Sequence, residues 1–310
     1  MQIGIMLEGQ MGLNWPRWQR ILQIAEDGGY QHVFRSDHYV NPQPPDMDSL
    51  ELWTSLTYAA SHTKRIEFGP MVAPVTFRHP VMAARIAAQI DDLSGGRCVM
   101  GMGAGWNERE HRDFGIPFYD FKTRFEMLED ALEITTRLYN SAEPVSYEGK
   151  HFSLNNAVLL PRPQRPGGPP ILIGGSGPNK SLPLTAKYAA EWNAGFGPIE
   201  KFRKNNALLD QRIAEAGRKP GDIKRSIPTQ TVFGKDDADL RAKLQERGVS
   251  STDELWARGI TAGTAPELVD RLRVWQEAGV ERLLLQWLDL DDIASLELIA
   301  RDVLPHFHKT

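Results

Sequence analysis

Short apolar runs of β type alternate with amphipathic helical periods along this chain, and each kind recurs eight times. The strand patterns cover residues 2–7, 32–35, 66–72, 98–102, 170–173, 191–194, 224–231 and 282–286. The helical periods between them cover 15–27, 49–61, 80–93, 121–139, 179–188, 199–216, 236–245 with 265–278, and 293–304. Strands separated by whole helices cannot pair as hairpins; they must run parallel with helical crossovers. Eight such repeats predict an α/β protein built as a closed (β/α)8 TIM barrel. At 310 residues the chain is then one domain, residues 1–310, because barrels of this kind use 250 residues or more for a single core.

Turn chemistry agrees with the alternation. Gly28-Gly29, Gly95-Gly96 and Gly279 stand where helices must end before the next strand. Two stretches break the rhythm. Residues 140–169, after the helix of repeat four, carry Pro144, Pro161, Pro163, Pro166 and Pro169 and predict an ordered insertion with a hairpin around 145–154. Residues 245–264 predict a second insertion, after strand seven.

Composition narrows the function. The net charge of −4, without a Lys/Arg run, argues against nucleic acid or an anionic membrane as the main partner and leaves a small molecule. The one cysteine, Cys98, lies in an apolar strand pattern and builds neither an internal disulfide nor a cysteine metal cluster. The opening MQIGIML reads as a strand rather than a leader, and no apolar run reaches membrane-spanning length. The expectation is a cytoplasmic protein with no metal site, since His306 and His308 lie far from any strand tip.

In such barrels the chemistry gathers where strands end. The tips here carry Glu8, then Ser36-Asp37-His38, then Gly69 to Pro74, a glycine run from Gly101 to Gly105, and Gly174-Gly175-Ser176-Gly177. Alternating glycines let a bulky ligand approach the backbone. Asn107 with Glu110 three residues later reads as an N-cap and its capping-box partner. The Gly174 to Gly177 run offers amides and a hydroxyl to a phosphate. His38 is the candidate proton carrier, although a His beside an Asp is more often a structural pair. Glu8 is a second candidate acid, weighed against a simple ion pair on the rim. Trp106, Trp192 and Phe196 are candidate pocket walls, with core packing the other reading for Trp192.

The motifs SDH (Ser36 to His38), GPMVAP (Gly69 to Pro74), GMGAGWNEREHRDFGIPF (Gly101 to Phe118) and IGGSGP with AAEWN resemble those of the bacterial luciferase-like flavin and deazaflavin oxidoreductases, most closely the branch that uses coenzyme F420. The resemblance implies a (β/α)8 barrel, hydride transfer at the deazaflavin C5, and a homodimer. It implies that Asp37 and His38 lie at the ring and substrate, and that Met71-Val72 is a cis peptide behind the ring. Ala104, Gly105 and Asn107 would then contact the deazaflavin, while Gly174, Gly175, Ser176 and Gly177 hold its phosphate. One departure stands out: sugar-phosphate dehydrogenases of the family carry a glutamate and a tryptophan where this chain has Trp106 and Pro42. An apolar or aromatic substrate fits Trp106 better than a sugar phosphate. Two other readings stay open. One is an FMN-dependent monooxygenase supplied with reduced flavin by a partner reductase; the other is a flavin-binding protein without catalysis.

Overall fold

The computed structural model describes residues 1–308. Its strands are β1 (Gln2–Leu7), β2 (His32–Arg35), β3 (Glu67–Pro70), β4 (Ala73–Pro74), β5 (Met100–Gly103), β6 (Val145–Glu148), β7 (Ser153–Ala157), β8 (Ile171–Gly174), β9 (Glu191–Asn193), β10 (Lys224–Phe233), β11 (Thr261–Gly263) and β12 (Arg282–Trp287). The helices are α1 (Trp15–Asp27), α2 (Leu52–His62), α3 (Pro80–Ser94), α4 (Glu108–Asp113), α5 (Phe121–Asn140), α6 (Ser181–Tyr188), α7 (Ile199–Glu215), α8 (Asp237–Glu246), α9 (Thr252–Trp256), α10 (Ala265–Glu277) and α11 (Ile293–Asp302).

The parallel strands follow the order β3-β2-β1-β12-β10-β9-β8-β5-β4. The remaining seam closes through Phe68, whose N–H donates to the Arg97 carbonyl at 3.1 Å and whose carbonyl accepts from the Val99 N–H at 2.9 Å. The result is the (β/α)8 barrel that the alternation predicts.

Strand periodicity sorts the side chains into two layers. Outward residues such as Ile3, Ile5, Leu283, Leu285 and Trp192 pack against the helices in the main core. Helix α1 shows how that face is built: Asn14 caps its N-terminus by accepting from the Arg17 N–H, Pro16 sits in its first turn, and Trp18, Ile21, Leu22 and Ala25 bury one stripe. Inward residues Met6, Phe34, Val99, Leu172 and Leu284 fill the barrel itself, topped by Met71. Below them Arg282 pairs with Glu67 at 2.5 Å and with Glu191 at 3.4 Å.

Several elements differ from the sequence reading. The third strand, expected to run unbroken over 66–72, divides into β3 and β4 on either side of a cis Met71-Val72 peptide. Strand β10 runs on to Phe233, and its last residues pair with β11, a strand that short length and Gly263 hide in the sequence. The 140–169 excursion does carry an antiparallel hairpin, β6 with β7, paired from Val145 with Ala157 to Glu148 with Ser153. Among the described residues no helix is long and apolar enough to cross a membrane.

Candidate active site

A cavity of about 450 Å³ opens at the C-terminal ends of the strands, where barrel chemistry is expected. Its floor is Val72. Three inward-facing glycines surround that side chain: a Cβ on Gly103 would stand 2.5 Å from Val72 Cγ2, one on Gly174 3.2 Å from Cγ1, and one on Gly101 3.3 Å from Cγ1. Gly101 is tighter still against backbone, because its Cβ would stand 2.0 Å from the Pro70 carbonyl oxygen. The alternating glycines therefore admit the Met71-Val72 segment, whose valine covers the glycine backbone on the cavity side. Gly105, held at φ 79°, carries the chain from the strand tip past Thr76 and into Trp106.

His38 stands at the cavity wall. Its Nδ1 lies 2.9 Å from Glu110 Oε1, and Trp106 meets its ring edge-on with centroids 5.3 Å apart. Glu110 is 1% exposed, and its other oxygen accepts from the Tyr39 N–H at 3.1 Å. Burial opposes the charged imidazole, but the hydrogen bond and charge of Glu110, with Glu8 and Asp37 further off, outweigh it and raise the His38 pKa above its ordinary value. The His38 Nε2 has no protein partner among the described residues, so it is the nitrogen free to serve a ligand.

The capping-box reading of Asn107 and Glu110 is corrected here. Asn107 makes no side-chain cap. Its Nδ2 instead donates to the Val40 carbonyl at 3.4 Å, its own carbonyl receives His111 Nδ1 at 2.7 Å, and it does not line the cavity. Glu110 turns away from the helix start because a histidine and a free amide from the β2 loop lie within reach.

Asp37 and Glu8 sit behind the wall. Asp37 is buried and grips Arg78 with both oxygens, the shorter contact 2.5 Å, while Arg78 also reaches Glu51 at 2.8 Å. Burial pushes the Asp37 carboxyl up, with Arg78 pulling against it. Glu8 is held by two amides, accepting from Gln286 Nε2 at 2.7 Å and from Gln10 Nε2 at 3.1 Å. Neither carboxylate lines the cavity, so both act on His38 through their charge.

At another part of the wall the glycine tip, Ser181 and Arg124 meet the same cavity. Gly174 and Gly175 line it, whereas Ser176 and Gly177 lie outside the lining, although among the described residues their amides make no hydrogen bond to protein. Ser176 itself turns back, its Oγ accepting from the Gly195 N–H at 3.1 Å, and Gly177 uses its carbonyl to accept from the Leu182 N–H. Arg124 is a residue that the sequence reading missed. It is buried, its guanidinium lies 4.2 Å over the Phe118 ring, its only hydrogen-bond acceptor among the described residues is the Tyr119 carbonyl, and its Nε is unpartnered. Burial lowers its pKa against the more distant charges of Asp120 and Glu108, and no carboxylate pairs with it directly among the described residues. A buried cation without a direct ion pair is costly, and a ligand phosphate or carboxylate would satisfy it.

Of the proposed pocket walls, Trp106 lines the cavity and is 61% exposed, joined by Phe121 and Phe125 from α5. Trp192 does not line it. That side chain is 0% exposed on the outward face of β9, stacks on Phe202, and donates from Nε1 to the Gly175 carbonyl at 2.8 Å. The inward neighbour Asn193 takes the cavity position instead. Phe196 is 45% exposed on the following loop, outside the cavity lining.

A parallel barrel with a ligand-sized cavity at its strand tips, walled in part by a His38 that pairs with the buried Glu110 behind it, defines a barrel protein with a candidate small-molecule site. The luciferase-like monooxygenase family model matches residues 1–251, and the chain belongs to that family. The chain is 29% identical over 268 residues to an F420-dependent hydroxymycolic acid dehydrogenase of Mycobacterium tuberculosis, covering 86% of this chain and 69% of that one. It is 28% identical over 327 residues to a 4-hydroxyprotoasukamycin monooxygenase of Streptomyces nodosus subsp. asukaensis, covering 93% and 86%. The coenzyme F420-dependent tetrahydromethanopterin reductase of Methanopyrus kandleri superposes with a TM-score of 0.82 over 99% of both chains at 22% identity, which establishes the shared fold.

Proposed function

We propose that this protein is an F420-dependent oxidoreductase that moves a hydride between the deazaflavin C5 and a small, largely apolar organic substrate, with His38 exchanging the accompanying proton. The observation that carries the reading is one cavity bordered by the Met71-Val72 segment, by His38 with its Nε2 unpartnered among the described residues, and by the buried Arg124. The cavity volume lies within the range of small-molecule and cofactor sites. Met71, Val72, Ala104 and Gly105 would support the ring. The amides of Ser176 and Gly177, with the Ser181 hydroxyl and Arg124, would hold the phosphate. When bound, the deazaflavin supplies or accepts the hydride; the protein contributes orientation, dryness and the proton.

His38 presents Nε2 for that proton. Its raised pKa enlarges the imidazolium population near neutral pH, which favours proton donation to a substrate being reduced. The reverse reaction, oxidation of an alcohol, needs the neutral ring and gains as pH rises. Trp106 and Phe121 favour an apolar or aromatic substrate face. A homodimer and a cytoplasmic setting belong to the same proposal; sedimentation of the purified protein tests the first.

The deciding experiment titrates apoprotein with F420 and separately with FMN. Affinity for F420 at least about tenfold tighter, equivalent to about 1.4 kcal/mol, is the expected result. The reverse preference would overturn the deazaflavin assignment and point to an FMN monooxygenase fed by a reductase. Binding of neither would overturn both.

A further inference from the structure

We infer that Glu110 is the positioning residue for His38: its carboxylate fixes the imidazole with Nδ1–H inward and Nε2 toward the cavity, and so decides which nitrogen carries the exchanged proton. The inference deepens the functional reading above and rests on it for the activity measurement alone.

The geometry is a two-point clamp. One oxygen of Glu110 takes the ring nitrogen of His38 at 2.9 Å and the other takes the backbone N–H of the next residue, Tyr39, at 3.1 Å. Ring and backbone of the β2 loop are thereby held by one carboxylate, and the Ser49 hydroxyl donating to the His38 carbonyl at 2.7 Å ties the same residue from the other side. Trp106 packs against the ring in a T-shaped arrangement, centroids 5.3 Å apart. A carboxylate can only accept, so the Nδ1 it faces must carry hydrogen whether the ring is neutral or charged.

Charge supports the same assignment. Among the described residues His38 is the only cation-forming side chain paired with Glu110. Asp37, although adjacent in sequence, has its charge engaged by Arg78, and Glu8 is held by two amides. These three carboxylates, from α4, the β2 loop and the β1 loop, are the acidic groups that bear on the ring, and only Glu110 touches it. A buried carboxylate and a nearly buried imidazole stabilise each other's charged forms, and removing one exposes the other to the full penalty of burial.

The test uses apoprotein with 15N-labelled histidine and long-range proton–nitrogen correlation spectra, His38 being assigned from a His38→Gln spectrum. The neutral ring in the unmodified protein should be the Nδ1–H tautomer. In Glu110→Gln the amide still offers an acceptor oxygen but no charge, so the His38 titration midpoint should fall by about 1–3 pH units. Glu110→Asp, one methylene shorter, should restore the charge but less of the orientation, giving a midpoint between the two. With F420 and substrate, kcat should drop in Glu110→Gln with KM little changed, and the pH–rate profile should move in step with the spectroscopic midpoint. An Nε2–H tautomer in the unmodified protein would overturn the inference, whatever the variants do. So would an unmoved midpoint in folded Glu110→Gln. If tautomer and midpoint behave as expected but F420 does not bind, the clamp stands and the cofactor assignment falls.

Discussion

If Val72 is seated by the glycines around it, then Gly103→Ala should be felt through Val72 and nowhere else. The new Cβ would lie 2.5 Å from Val72 Cγ2, so about 0.9 Å of movement is needed to reach the 3.4 Å at which ordinary contact begins. Valine is stiff at χ1 and cannot swing one methyl aside alone. Overpacking of this kind costs about 1–3 kcal/mol, or roughly 1.5–5 °C in Tm for a chain of this size. Gly174→Ala is the internal comparison. Its Cβ would stand 3.2 Å from the same valine, a deficit of about 0.2 Å, and the ordinary gain from stiffening the unfolded chain offsets it. Thermal melts of both variants should separate them clearly. The decisive double variant is Gly103→Ala with Val72→Ala, which removes the clashing methyls; the pair should couple by about 0.5–3 kcal/mol in the rescuing direction. Additive losses in the double variant, or equal melts for the two glycine variants, would refute the account of the floor.

Other outcomes follow from the wall. His38→Asn should lower kcat by roughly 10²–10⁴-fold while leaving F420 affinity nearly intact, read from steady-state rates beside fluorescence titration. Arg124→Gln should weaken F420 by about tenfold to a hundredfold and leave the phosphate-free deazaflavin chromophore unaffected; equal losses for both would remove Arg124 from phosphate binding. The raised His38 pKa has a stability signature as well. Its contribution is fully present below the ordinary value of 6.5 and is lost as pH rises through the folded value, so denaturant midpoints should decline above about pH 6.5, less so in His38→Asn.

The barrel was legible because its evidence is repeated: eight apolar runs, each followed by a helical stripe, constrain one another. The lining of the candidate cavity was legible where a motif sits on a strand tip, as for His38, Ala104, Gly105 and Gly175. It was misread where a local rule had a stronger tertiary competitor. Glu110 three residues after Asn107 satisfies the spacing of a capping box, yet a nearly buried imidazole 72 positions away in the chain claims its carboxylate. Trp192 drew attention by size, but period-two alternation puts it on the face opposite Glu191 and Asn193, and Asn193 reaches the cavity. Arg124 lies in the first turns of α5, two residues after Lys122, where a basic residue in a helical pattern reads as solvent-facing; only its burial with the guanidinium over the Phe118 ring reveals otherwise.

The cavity floor also lies on the join of the barrel. Between β3 and β5 the strands touch below through Phe68 and above through β4, where Ala73 and Pro74 pair with Met102 and Gly103, and Val72 occupies the gap between those two contacts. A ring resting there would lie across the seam like a clasp over the ends of a hoop. Occupancy of the cavity and closure of the cylinder then become one equilibrium, so a bound ring would slow hydrogen exchange at the Val75 and Val99 amides, the donors on either side of the join.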